Sequence, residues 1–336
     1  MKPWVVGIDA GGTKTEAWAV AADGEIVARA TCGAGNPLTV GFDHAAGVVM
    51  EALAAVSLSR TEPSLVCIGM AGVGRPPERN RMVAALKAKG LPREGWDCDP
   101  AQFISGEVTI HPQAGAALLD HDAMIALAAV TNGGPGVAVI AGTGSIAFAV
   151  DESGKRLRSG GWGHLYDDRG SAFWIGSETL GAVCQAYDGR GPATGLVDAV
   201  CLALRAKDLP GVTSHLLCHE NPKAAIASVA PVCGDAAEAG DAVAQHIIEQ
   251  AGEELALMAA AVVNAGAFAH RPVAVGLQGG AFANVKGLRQ ALEHSLAKRE
   301  VAAHVQDSPL PPVAGAALLS MKALGWTLPK IEWRDA

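Results

Sequence analysis

Two stretches of the chain, GIDAGGTKTEAWAV at residues 7–20 and GVAVIAGTGSIAFAV at residues 136–150, repeat one design: an apolar strand, a turn of glycines and hydroxyls, and a second apolar strand. This repetition constrains the fold more than any other feature, because two such hairpins imply two related units facing one cleft. Glycine has no Cβ, so the backbone at Gly11, Gly12, Gly142 and Gly144 can approach an anion closely, and successive turn amides form an anion-binding concavity. Asp9, just before the first turn, cannot itself hold a phosphate, since like charges repel; it suits a divalent cation or its waters. The spacing is neither that of the GxxxxGK[ST] phosphate loop nor that of the GxGxxG turn that opens a helix, because Thr15 to Val20 continues as a strand. Taken alone, the first hairpin reads equally well as an ordinary glycine turn.

The 336 residues are enough for two domains. Half are apolar, and no apolar run reaches 18 residues without a polar interruption, which fits a globular protein and not a membrane one. A net charge of −8, with no Lys or Arg cluster to overturn it, argues against a nucleic-acid surface. MKPWVVGIDA leads directly into a strand with no secretory leader, so a cytoplasmic location is expected. Seven cysteines (Cys32, Cys67, Cys98, Cys184, Cys201, Cys218, Cys233) stand singly, without a CxxC pair. They read as reduced thiols buried in the packing, not as zinc or iron–sulfur ligands.

Strands are expected near 4–10, 15–22, 25–32 and 65–70, with an amphipathic helix over about 42–56. A helical stretch near 78–89 and a weak segment around 95–110 precede the second hairpin. Residues 170–266 read as mostly helical, ending in an alanine-rich helix from about 238 to 265. A strand at 272–277 runs into GLQGGAFAN, a helix covers about 285–297, and SPLPPVAGAALLSMKALG opens a terminal helix with proline in its first turn.

Four glycine-rich turns need a common explanation: residues 10–15, GTGS at 142–145, GGWG at 160–163 and GG at 279–280. Turns that follow strands are where α/β sheets present ligand-binding backbone. A triphosphate cradled between the two hairpins, with a further glycine pair against adenosine, accounts for three of them and leaves GGWG for a second substrate.

The ordered set GIDAGGTKTE, DA at 122–123, GTGS, GGWGHLYDDRGSAFWIG, QGGAFAN and PPVAGAALL resembles the N-acetylglucosamine kinase branch of the actin, hexokinase and heat-shock ATPase superfamily, the BadF/BadG/BcrA/BcrD-type ATPases. The motifs run from residue 7 to about 320, and the element from Gly160 to Gly176 is the most distinctive. The resemblance implies an α/β protein of two ribonuclease H-like domains of the actin and hexokinase type, with mixed sheets flanking a nucleotide cleft. One domain would comprise residues 1–118 with 311–336, the other residues 119–310. It further implies ATP and magnesium as cofactors, an amino sugar as the small-molecule partner, and phosphoryl transfer to the sugar 6-hydroxyl. A homodimer is the expected assembly.

Residue by residue, the resemblance makes Asp122, twenty positions before Gly142, the general base for the sugar hydroxyl. Without the motif order, HDAM reads as a surface aspartate beside Asp120 and His121. Asn36 matches an asparagine that reaches sugar hydroxyls, its amide offering donor and acceptor, and is also a turn residue before Pro37. Gly161, Trp162 and Gly163 would contact and wall the sugar, with Asp168 accepting from its hydroxyls; Trp162 as core filler is the other reading. Thr13, Lys14, Thr143 and Ser145 offer donors to phosphate, although Lys14 is equally a solvated charge. Asp9 would organise magnesium. Gly279, Gly280 and Asn284 would border the adenosine, with Ser228 on its other wall.

One departure bears on specificity. Relatives commonly read GDEGS where this chain has Asp167, Asp168, Arg169, Gly170 and Ser171. Asp167 near the sugar 2-position would favour a free ammonium, as on glucosamine, over an acetamido group; the alternative is that it pairs with Arg169. N-acetylmuramic acid is a further candidate substrate. Three rivals remain at this level. Activating ATPases of radical enzymes need clustered cysteines, and ROK-type sugar kinases a zinc-binding cysteine cluster, which this chain lacks. A non-catalytic sugar sensor would have no use for a positioned base.

Overall fold

In the computed structural model, the described residues are 2–57, 62–91, 95–105, 116–306 and 310–328. They build two five-stranded mixed sheets. The first contains β1 (Trp4–Ala10), β2 (Thr15–Ala21), β3 (Ile26–Cys32), β4 (Leu65–Met70) and β5 (Ala116–His121), in the order β3-β2-β1-β4-β5. The second contains β6 (Gly136–Ala141), β7 (Ser145–Val150), β8 (Arg156–Gly160), β9 (Val273–Gln278) and β10 (Ala303–Gln306), in the order β10-β9-β6-β7-β8. Each sheet is an antiparallel meander followed by two parallel strands, so the second half repeats the topology of the first strand for strand.

Helices fill the layers around the sheets. Between β3 and β4 lie α1 (Pro37–Val40) and α2 (Phe42–Val56), and between β4 and β5 lie α3 (Pro76–Ala88) and α4 (Pro100–Ser105). The helix α5 (Asp122–Val130) follows β5 directly. Between β8 and β9 the chain inserts α6 (Ala172–Tyr187), α7 (Leu196–Ala203), α8 (Leu209–Leu217), α9 (Pro222–Ala227), α10 (Ala230–Glu238) and α11 (Ala242–Ala265). After β9 come α12 (Gly280–Asn284) and α13 (Leu288–Lys298), and after β10 comes α14 (Pro312–Ala323). No described helix is long and apolar enough to cross a membrane.

Alternate residues of each strand point to opposite faces, which divides the apolar side chains among three cores. Val6, Ile8 and Ala10 pack under α2 and α3, with Val49, Met82 and Leu86. Val137, Val139, Ala147 and Ala149 pack under the long α11 and its neighbours. The middle core is shared: Val5, Trp18 and Leu65 of the first sheet and Ala138, Phe148 and Val150 of the second enclose α5 and α14. Small residues permit this approach, because a Cβ on Gly315 of α14 would collide with the backbone of Ile125 on α5. Equivalent collisions would meet a Cβ on Gly7 against α14, on Gly69 against Ile125, and on Gly276 against Val130.

Several sequence expectations need correction. The alanine-rich helix expected from about 238 to 265 starts at Ala242: Gly240, with φ of 95°, separates it from α10, and the Asp241 carboxylate caps α11 by accepting from the amides of Val243 and Ala244. Strands β5, β8 and β10 were not expected. β5 is apolar and continuous with the apolar α5, so periodicity cannot separate them, while β8 and β10 are short edge strands. Because β5 runs unbroken to His121, a domain boundary between residues 118 and 119 falls inside a strand. Of the weak segment at 95–110, residues 106–110 lie outside the described residues, as do 329–336 of the terminal stretch. The cysteines are not all buried: Cys67 and Cys233 are, whereas Cys218 is exposed.

Candidate active site

The first turn is closed by the Gly11 amide donating to the Lys14 carbonyl at 2.9 Å. Gly11 also anchors the next loop, since its carbonyl accepts from the amides of Gly35 and Asn36 at 2.9 and 3.1 Å. Asn36 is thereby fixed beside the turn. Its Oδ1 accepts from the Leu38 amide at 3.0 Å and caps α1, leaving its NH2 without a partner among the described residues. Gly12, Thr13 and Lys14 are exposed, and no atom lies within 4 Å of where a Gly12 Cβ would stand. The Lys14 ammonium pairs with Glu16 at 2.7 Å.

The register of β1 against β2 sets Asp9 opposite Glu16. Burial, then the nearby Asp122 and Glu16 carboxylates, push the Asp9 carboxyl up to about 7. Asp122 opens α5, where its Oδ1 accepts from the Ala123 amide at 2.9 Å. Its side chain is exposed into a cavity of about 230 Å³ bordered by Leu38, Gly72, Arg75, Arg158 and Gly161. Residues of both sheets thus converge on Asp122.

An ion cluster fixes the corner that carries it. Arg156 of β8 reaches across to Asp120 of β5 and to Asp99 ahead of α4. Burial alone would raise the Asp120 carboxyl, but His121 and Arg156 outweigh it and hold it below the usual range. His121 also meets Phe148 of β7 edge to face, with ring centroids 4.6 Å apart.

The second turn is tighter. The Gly142 amide donates to the Gly144 carbonyl at 2.9 Å, and the Gly142 carbonyl accepts from the Ala172 amide at the start of α6. Thr143 is exposed. Ser145 is buried and its Oγ donates to the Arg169 carbonyl at 2.7 Å, so that hydroxyl already has an acceptor inside the protein. Asp168 lies directly beneath the turn: it is buried, has a φ of 56°, and a Cβ on Gly144 would stand 2.8 Å from its Oδ2. The Lys223 ammonium of α9 approaches the same oxygen at 3.5 Å.

Trp162 is 64% exposed, which removes the core-filler reading. The Arg158 guanidinium stacks on its ring at 4.2 Å and donates to the carbonyls of Gly160 and Gly161. Gly163, with φ of 103°, completes the turn. Asp167 does not pair with Arg169. Its Oδ2 accepts from the Trp162 amide at 3.0 Å, while Arg169 pairs with Glu254 at 2.6 Å.

At the third glycine site, Gly279 has φ of 102°, and a Cβ there would collide with the Ala141 backbone. Gly280 and Asn284 are exposed, the Asn284 amide donating to the Gly280 carbonyl at 2.8 Å. Ser228 is exposed at the end of α9, its Oγ donating to the Ala225 carbonyl. Val229 and Ala281, their chain neighbours, belong to the same large core. The sequence reading did not single out Arg158 or Glu16. The strand register would have found Glu16, and the RLRSG alternation ahead of GGWG was the only signal for Arg158.

Comparison with known proteins follows the same lines. A model of the BadF/BadG/BcrA/BcrD ATPase family matches residues 6–320. The chain is 29% identical over 289 residues to an N-acetylmuramic acid/N-acetylglucosamine kinase of Clostridium acetobutylicum, covering 85% of this chain and 87% of that protein. It is 30% identical over 266 residues to an N-acetyl-D-glucosamine kinase of Dictyostelium discoideum, covering 74% and 76%. A crystal structure from Chromobacterium violaceum, assigned as an N-acetylglucosamine kinase, matches with a TM-score of 0.70 at 26% identity over 95% of this chain and 99% of that one. The paired mixed sheets are the α/β fold of actin and hexokinase. With the family model spanning both sheets and every glycine turn, the chain belongs to the BadF/BadG/BcrA/BcrD ATPase family.

Proposed function

We propose that the protein is an ATP-dependent amino-sugar kinase that transfers the γ-phosphoryl group to the 6-hydroxyl of N-acetylglucosamine, with glucosamine and N-acetylmuramic acid as the alternative substrates. The observation that carries this reading is the pair of topologically equivalent glycine turns, with Asp9 ahead of the first and the Asp122 carboxylate near enough to act on it. The relatives named as kinases of these sugars support it.

In this mechanism Asp122 accepts the proton of the sugar hydroxyl as its oxygen bonds to the γ-phosphorus. The bond from that phosphorus to the bridging oxygen breaks, and ADP leaves with the electron pair. Asn36 offers its free NH2 to a sugar hydroxyl, Trp162 walls the ring, and the amides of the two turns hold phosphate oxygens. Asp9 fits a magnesium site, because a partly buried carboxyl pushed up by two neighbouring carboxylates gains from a cation beside it. Bound there, magnesium would supply charge neutralisation for the phosphates. One oxygen of Asp167 accepts from the Trp162 amide, and the carboxylate keeps its charge, so glucosamine stays among the alternative substrates. Cytoplasmic location and a homodimer belong to the same proposal.

An ADP-release assay with N-acetylglucosamine, glucosamine, N-acetylmuramic acid and glucose tests it. Turnover of an amino sugar above glucose is expected. ADP release that no sugar stimulates would overturn the kinase reading.

A further inference from the structure

Asp168 is in an unusual position for a group expected to meet only sugar. It is a buried carboxylate in left-handed backbone, set beneath a glycine turn that binds anions in the kinase reading. A carboxylate so close to a phosphate site repels the ligand unless a cation stands with it. Arg169, next along the chain, turns to Glu254, and Lys14 of the first turn pairs with Glu16. Among the described residues, Lys223, one-third exposed and 3.5 Å from Asp168 Oδ2, is the cation paired with it.

The backbone fixes Lys223 in place. The second turn is tied to the start of α6 through the Gly142 carbonyl, and α9 packs so closely on α6 that a Cβ on Gly176 would collide with the Ile226 carbonyl. Lys223 lies in the first turn of α9 and Ser228 follows its last residue. Five residues of helix span about 7.5 Å, so α9 separates Lys223, beside the second turn, from Ser228, which the resemblance sets on the adenosine wall.

Resting on the kinase reading above, we infer that Lys223 is the phosphate-binding cation of the nucleotide site: Asp168 holds its ammonium beside the Gly142–Gly144 turn and yields it to the nucleotide phosphates. Nucleotide binding then frees Asp168 to accept from sugar hydroxyls, which couples the two substrates through one side chain.

Calorimetry of the magnesium complex of AMPPNP, and of adenosine, tests this on the full chain without sugar. Lys223→Met should weaken AMPPNP at least tenfold while adenosine changes less than about twofold. A Lys223→Met, Asp168→Asn double variant should stay weak for AMPPNP. If Lys223 only neutralises Asp168, the double variant regains wild-type affinity, and the inference falls. It also falls if Lys223→Met binds AMPPNP as the wild type does, or loses adenosine to the same degree. Sugar turnover by the wild type is scored separately, so absence of turnover with intact AMPPNP binding would count against the kinase reading alone.

Discussion

The two halves share a strand order but not their equipment. In the first, the described residues between β3 and β4 form two helices, and the turn at Gly12–Lys14 stands open and exposed. In the second, residues 161–272 join β8 to β9 with six helices, and the turn at Gly142–Ser145 is packed against Asp168 and α6. The helix after the fifth strand differs as sharply: α5 opens on Asp122, whereas α14 opens on Pro311 and Pro312. One half carries an exposed turn and Asp122; the other carries a packed turn with Asp168 and Lys223 beside it. A repeated fold therefore provides two equivalent frames, and the chemistry comes from the residues that break the symmetry.

Removing the asymmetry at α5 should have the largest effect. Asp122→Asn is expected to lower sugar-dependent ADP release by about a thousandfold with AMPPNP affinity unchanged, while Pro312→Ala leaves turnover within about twofold. Steady-state kinetics beside calorimetry measure both, and an active Asp122→Asn would remove the base. The turns should differ in stability. Gly279→Ala forces a side chain into left-handed backbone against Ala141 and should cost about 3 kcal/mol in urea unfolding. Gly12→Ala should cost less than about 0.5 kcal/mol, because nothing lies near its Cβ.

Asp9 gives a smaller effect with a definite sign. Its native pKa of about 7 lies above the ordinary 3.8, so the folded protein keeps a proton that the unfolded chain has released, and stability falls as pH rises between them. Asp9→Asn should therefore raise Tm by about 5 °C at pH 8 and by nothing below pH 4, read by scanning calorimetry, even as turnover is lost. Smallest of all is Lys14→Ala. Its ammonium is an exposed partner of Glu16, so KM for ATP should move less than about threefold. A larger change would restore Lys14 to the phosphate site and make the two halves more alike.

Much of this was legible in the residues. Hairpins alternate apolar side chains around glycine, so both hairpins and their turns could be read directly, and the motif order singled out Asp122, Asn36 and GGWG as candidates. The parallel strand β5 escaped because a strand buried on both faces and the apolar helix after it have no contrast in period. Side-chain partners escaped for another reason. Ser145 donating to Arg169, Asp167 accepting from Trp162 and Lys223 meeting Asp168 depend on loops closing in space, and spacing along the chain carries no record of that.

The shared middle core has a mechanical consequence. Because α5 and α14 cross where Gly315 admits the backbone of Ile125, and because Phe148 and Trp18 belong to one apolar interior, neither sheet owns a complete inner surface. Heat or urea should therefore melt the molecule in one cooperative step, and either sheet expressed by itself would present its inner face to water and aggregate.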